Sequence, residues 1–152
     1  MRGITPRMVS EIFSAISHSP ETIEWRIKIT SVEIYMEKVR DLIDTGKNNL
    51  KIRESATKGI YIEDVTEIYV GEEEEVYEIM RLANNNRVSA HTNMNEGSSR
   101  SHLIFLMHIY QYDEKQFSAK SGKLFLVDLA GSEKVSKSGV EGKNLDEARK
   151  IN

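Results

Sequence analysis

An unbroken apolar run, Leu124-Phe125-Leu126-Val127, ends on a carboxylate at Asp128 and reaches a glycine at Gly131. A strand without alternation is one with both faces covered, as in the interior of a helix-flanked α/β sheet. Asp128 then stands at the carboxyl end of that strand, the edge where open α/β sheets bind ligands. In phosphoryl-transfer proteins an Asp so placed holds Mg²⁺, directly or through a water. A glycine N–H just beyond it can approach a terminal phosphate without side-chain interference. A core strand capped by an ordinary Asp-containing turn leaves the same trace, and Asp-Leu-Ala-Gly alone does not choose between them.

A second polar stretch, Asn95-Glu96-Gly97-Ser98-Ser99-Arg100-Ser101-His102, runs directly into a strong strand at 103–112. Its Asn and Ser side chains can donate to phosphate oxygens or ligate Mg²⁺, and Arg100 could pair with an acid across a cleft. The competing account is a serine-rich loop capping a strand, with His102 structural. Taken together, this stretch and the Asp128 turn are consistent with two segments that close on one terminal phosphate.

The rest of the chain reads as scaffold. Pro6 sits near a first helical turn, and Met8, Ile12, Phe13 and Ile16 share one face until Ser17-His18-Ser19-Pro20 stops the helix. From Trp25 the period is two, with Ile27 and Ile29 on one parity and Val32, Ile34 and Met36 on the other. That change of phase near Thr30-Ser31 predicts a bulge. A polar turn at 45–49 and short strands at 50–53, 60–63 and 65–70 predict a small antiparallel excursion from the main sheet. Glu72-Glu73-Glu74-Glu75 opens a helix favoured by the helix dipole. That helix is expected to end near Ala83, with Asn84-Asn85-Asn86 fraying it. A polar hairpin connection is expected from Asp113 to Gly122, and a further helix begins near Asp146.

The 152 residues allow one domain, and 39% apolar with 30% charged content indicates a globular chain. A formal charge of -3 and 7% aromatic residues without a basic stripe argue against nucleic-acid binding. The lack of cysteine excludes disulfides and thiolate zinc sites, and the four histidines lack metal-ligand spacing. No run approaches membrane-spanning length and the start is no secretory signal, so the expectation is a cytosolic protein without a membrane partner. A Gly-x-x-x-x-Gly-Lys-Ser/Thr phosphate loop is missing: Gly46-Lys47, Gly122-Lys123 and Gly142-Lys143 are followed by Asn, Leu and Asn. Any nucleotide site would have its principal phosphate cradle outside the chain.

Asn95-x-x-Ser98-Ser99-Arg100-Ser101-His102 resembles switch I of kinesin motor domains, and Asp128-Leu129-Ala130-Gly131-Ser132-Glu133 resembles their switch II. Glu33-Ile34-Tyr35-Met36-Glu37-Lys38-Val39-Arg40-Asp41-Leu42 is a third match, and Ser132 to Lys137 with Gly142 is most similar to conventional, kinesin-1-like members. The resemblance covers residues 1–152 as a single incomplete domain, the central part of a motor head. It implies an α/β fold, a partial kinesin-type P-loop NTPase with a central mixed sheet flanked by helices and the phosphate loop missing.

The implied cofactors are ATP and Mg²⁺. By resemblance, Ser99 ligates Mg²⁺, Asn95 and Ser98 contact the γ-phosphate and the attacking water, and Asp128 holds a Mg²⁺-bound water. The Gly131 N–H senses the γ-phosphate. Arg100 and Glu133 form the salt bridge that closes the site, with Glu133 relaying a proton. Lys38, Arg53, Lys58, Lys134 and Lys137 occupy the places where the family meets the acidic surface of tubulin.

The implied function is a microtubule motor ATPase of the cytoplasm and cytoskeleton, dimeric if at all through segments outside this chain, with the 152 residues alone inactive. The alternative is a non-catalytic, kinesin-derived tubulin-binding module, which the missing phosphate loop favours and the phosphate-sensing residues oppose. A small GTPase-like switch ranks last, since no Asn-Lys-x-Asp guanine-reading element is present.

Overall fold

The computed structural model describes residues 3–57, 59–92 and 100–131. Among these residues two helices, α1 (Ile4–Ser17) and α2 (Glu73–Thr92), accompany eight strands. These are β1 (Ile23–Tyr35), β2 (Lys38–Asp41), β3 (Asn48–Leu50), β4 (Ile52–Ser55), β5 (Gly59–Ile62), β6 (Ile68–Val70), β7 (His102–Asp113) and β8 (Ser118–Asp128). The main sheet has the order β3-β2-β1-β7-β8, and β6 shares with β2 the edge of β1 away from β7. Every pairing among the described strands is antiparallel. The expected excursion is present as the separate β4–β5 hairpin, but Leu50 belongs to β3 in the main sheet.

Both helices cover one face of the sheet. Val9 of α1 and Val76 and Ile79 of α2 close over Ile27, Ile29, Val70, Phe105 and Met107. The acidic opening of α2 behaves as expected, because the Glu75 carboxylate accepts from the N–H groups of Gly71 and Glu72 and caps the first turn. The Tyr77 hydroxyl reaches the Glu73 carboxylate and the Pro6 carbonyl, tying α2 to α1. The Glu73 bond, with burial, pushes its pKa up to about 12.

Three expectations need correction. The bulge near Thr30-Ser31 is absent: β1 pairs with β7 without a break from Ile23↔Asp113 to Ile34↔His102. The phase changes because Ser31 and Glu33, both fully buried, take up the helix-covered parity that Ile27 and Ile29 hold earlier. Helix α2 does not fray at Asn84–Asn86 but runs on to Thr92. Asn86 explains part of that extension, since its side-chain amide donates to the Leu42 carbonyl at 2.8 Å. The connection drawn from Asp113 to Gly122 is mostly strand, and β8 already begins at Ser118.

Strand β8 is also not covered on both faces. Leu124 and Leu126 pack toward the helices, whereas Phe125 is 54% exposed and Val127 49%. These two line a cavity of about 990 Å³ between the opposite sheet face and the β4–β5 hairpin, together with Ile104, Leu106, Ile60 and His108. Burial, with Lys28 and Lys123 beside it, lowers the His108 pKa, and its Nδ1 lies 2.8 Å from the Tyr110 hydroxyl.

The Ser31 hydroxyl is buried without a hydrogen-bond partner. An orphaned polar group of this kind costs about 1–3 kcal/mol. Ser31→Ala is therefore expected to raise the midpoint of chemical denaturation, and an unchanged or lower midpoint would show the hydroxyl to be satisfied.

Candidate functional site

The β7–β8 ladder brings the described parts of the two polar stretches together. Leu103 lies opposite Asp128, so Arg100-Ser101-His102 enters β7 directly beside the point where Asp128-Leu129-Ala130-Gly131 leaves β8. The same level of the sheet continues sideways, because Leu103 also faces Glu33 on β1 and Glu33 faces Arg40 on β2. Residues directly opposite in an antiparallel sheet share a face. One row across four strands thus presents Arg40, Glu33 and Asp128 to the helix-covered side.

Arg87, carried by the extension of α2, packs onto this row. Its Nη1 donates to Asp128 Oδ2 at 2.9 Å and its Nη2 to the Ser101 carbonyl at 3.1 Å, while Nε lies 3.7 Å from Glu33 Oε1. The Ser101 hydroxyl takes a further bond from Nη2 at 3.3 Å, and Arg40 Nη1 reaches Glu33 Oε2 at 3.4 Å. The arrangement is graded. The Glu33 side chain is 0% exposed and Arg87 5%, but Asp128 is 65% exposed. The row therefore runs from a closed ionic interior to a carboxylate that faces outward.

At that open end, His102 accepts the Ala130 N–H on Nδ1 at 3.0 Å. The backbone leading to Gly131 is thus fastened to the residue that opens β7. Arg100 is half-buried just before it. An exposed carboxylate at a strand's end is an oxygen donor of the kind that suits a hard cation such as Mg²⁺.

Of the residues singled out in the sequence, Arg100, Asp128 and Gly131 are brought to one place. Asn95, Ser98, Ser99, Glu133, Lys58, Lys134 and Lys137 lie outside the described residues. Lys38 is exposed at the start of β2, just after a Met36-Glu37 turn with φ of 51° and 62°. Arg53 is on the β4–β5 hairpin, bonded to Glu63 at 3.1 Å. These two basic residues belong to different sheets.

Sequence reasoning missed Arg87 as part of this site and quoted Ser101 and Glu33 only within motifs. The available signal was Glu33 itself, a charge on the parity that continues from Ile27, Ile29 and Ser31.

A kinesin motor domain family profile matches residues 1–152. The chain is 54% identical over 151 residues to a kinesin heavy chain of Syncephalastrum racemosum, spanning 99% of this chain and 16% of that one. To a Drosophila melanogaster kinesin heavy chain it is 48% identical, with the same two shares. Among solved structures it is similar to a fast kinesin described for its ATPase mechanism and interactions with microtubules. That match has a TM-score of 0.91 and 50% identity, covering 99% of this chain and 42% of that one. The motor and motor homology domain of Kar3Vik1, fused to a synthetic heterodimeric coiled coil, matches with a TM-score of 0.85, 36% identity and 39% of its length. The chain thus spans about a sixth of the heavy chains it matches and less than half of the solved motor chains. With the match extending over every residue, and the two polar stretches joined by the β7–β8 ladder, the chain belongs to the kinesin motor domain family.

Proposed function

We propose that these residues form the phosphate-sensing centre of a microtubule-stimulated Mg-ATP hydrolase that drives movement along microtubules. The observation that carries the reading is the register of β7 on β8, which sets Arg100-Ser101-His102 against Asp128–Gly131. Phosphoryl transfer depends on positioning and charge stabilisation more than on covalent chemistry, and two adjoining backbone segments fixed to one row of charges suit that demand.

In this reading Ser99 and Asp128 would hold Mg²⁺, Asp128 through a water, and the ion would supply charge neutralisation at the phosphate oxygens. Asn95 and Ser98 orient the γ-phosphate and the attacking water. The Gly131 N–H donates to the γ-phosphate, and Arg100 closes on Glu133, which passes on the water's proton. Arg87 holds the Asp128 side chain in place through its 2.9 Å contact. Lys38, Arg53, Lys58, Lys134 and Lys137 meet the acidic tubulin surface, placing the protein in the cytoplasm on the microtubule cytoskeleton. Any dimer forms through segments other than these.

The test is steady-state ATP hydrolysis by the full-length gene product and by residues 1–152, each with and without microtubules. Hydrolysis stimulated by microtubules in the former and absent from the latter is the expected result. A second reading, a non-catalytic tubulin-binding module, is favoured by the lack of a Gly-x-x-x-x-Gly-Lys-Ser/Thr loop in these residues. It would be supported by a full-length protein that co-sediments with microtubules, hydrolyses no ATP and responds to no nucleotide.

A further inference from the structure

The β7–β8 ladder ends in an unusual way. It pairs Leu103 with Asp128, so on continuing it would set Ser101 opposite Ala130. Neither backbone group is used in that manner. The Ser101 carbonyl receives Arg87 Nη2 at 3.1 Å, and the Ala130 N–H is donated at 3.0 Å to His102 Nδ1. Two side chains have replaced the next rung, one as donor and one as acceptor. A ring nitrogen that accepts an N–H carries no proton of its own, so the tautomer that fits this bond has its N–H on Nε2.

The replacement has a directional consequence. A strand that keeps its main-chain partners goes on extending in the plane of the sheet. An N–H held by a side chain is released from that plane, and the next residue can turn its own N–H elsewhere. The next residue is Gly131. We infer that His102 is a positioning residue for the hydrolysis proposed above: its imidazole ends the β7–β8 ladder at Ala130 and so fixes where the Gly131 N–H points. The inference rests on that functional reading for its effect on rate, but the His102–Ala130 bond itself does not.

The test uses the full-length protein carrying His102→Leu or His102→Asn. Asparagine places its amide oxygen about where Nδ1 lies and can accept the same N–H, whereas leucine cannot. Residue-resolved amide exchange of Ala130 is measured beside kcat and KM for ATP at saturating microtubules. With His102→Leu, Ala130 exchange is expected to accelerate at least about tenfold and kcat to fall about tenfold or more, because small misplacements of a positioned group are costly in rate. With His102→Asn both quantities are expected to stay within about threefold of wild type, an acceptor being retained.

Unchanged Ala130 protection in the leucine variant, or equal damage in both variants, overturns the inference. If the leucine variant does not fold, the wild type decides, since Ala130 exchanging at an open-chain rate also overturns it. A wild type that protects Ala130 but hydrolyses no ATP removes the functional reading and the rate effect with it, leaving the His102–Ala130 bond as found.

Discussion

Arg87→Ala is expected to destabilise the protein by about 3–5 kcal/mol, the cost of removing one member of a buried ionic network. Glu33 is the reason. Its carboxylate is fully buried with guanidinium groups on two sides, Arg87 at 3.7 Å and Arg40 at 3.4 Å. Removing Arg87 also takes one donor each from the Ser101 carbonyl and hydroxyl. Thermal denaturation should show a drop of roughly 10 °C or more. A pair change, Arg87→Met with Glu33→Leu, is expected to recover much of that loss, because apolar replacement of a buried ion pair is often neutral or stabilising. A single Arg87→Ala variant that melts with the wild type would show that the ionic row does not hold the sheet to α2.

Asp128→Asn should separate stability from chemistry. The Asp128 side chain is 65% exposed, and after its loss Arg87 still has Glu33 and Ser101. The expected cost in stability is about 1 kcal/mol or less, as for other solvent-facing ion pairs. The expected loss in kcat is about 10²–10³-fold, the range seen when one electrostatic contribution to a transition state is removed. Steady-state kinetics at saturating Mg²⁺ and microtubules, beside a melting curve, would read both. A variant that keeps its kcat would rule out Asp128 as an outer ligand of the cation.

What could be read from the chain and what could not divide along physical lines. The Asp128 turn was legible because an apolar run ending in Asp and Gly marks a strand end by local composition alone. The acidic start of α2 was legible because capping is also local. The end of α2 was not. Asn84-Asn85-Asn86 has poor helix propensity, yet the helix continues through a tertiary bond from Asn86 to Leu42 and through the burial of Arg87. The supposed bulge failed for a related reason: Ser31 and Glu33 break the hydrophobic pattern while remaining inside, one orphaned and the other held between two arginines. Periodicity detects apolar residues, and it misplaces a face whose interior is polar. His102 was set aside as structural, and its bond to Ala130 was beyond reach because it depends on register rather than on any motif.

The seam between β1 and β7 also governs how the protein reaches this state. The β1–β2 and β7–β8 pairs are hairpins whose residues meet early, but Ile27 and Ile109 come together across a gap of roughly 80 residues, a large loop to close. Until that closure, Ile29 and Met107 lack each other as neighbours, and Glu33 remains in water with its charge cheaply solvated. The rate of folding is then set by two separately formed hairpins finding each other, with slow kinetics typical of non-local pairing. Desolvation of the ionic row belongs to the last step, so a destabilised row should appear as faster unfolding rather than slower folding.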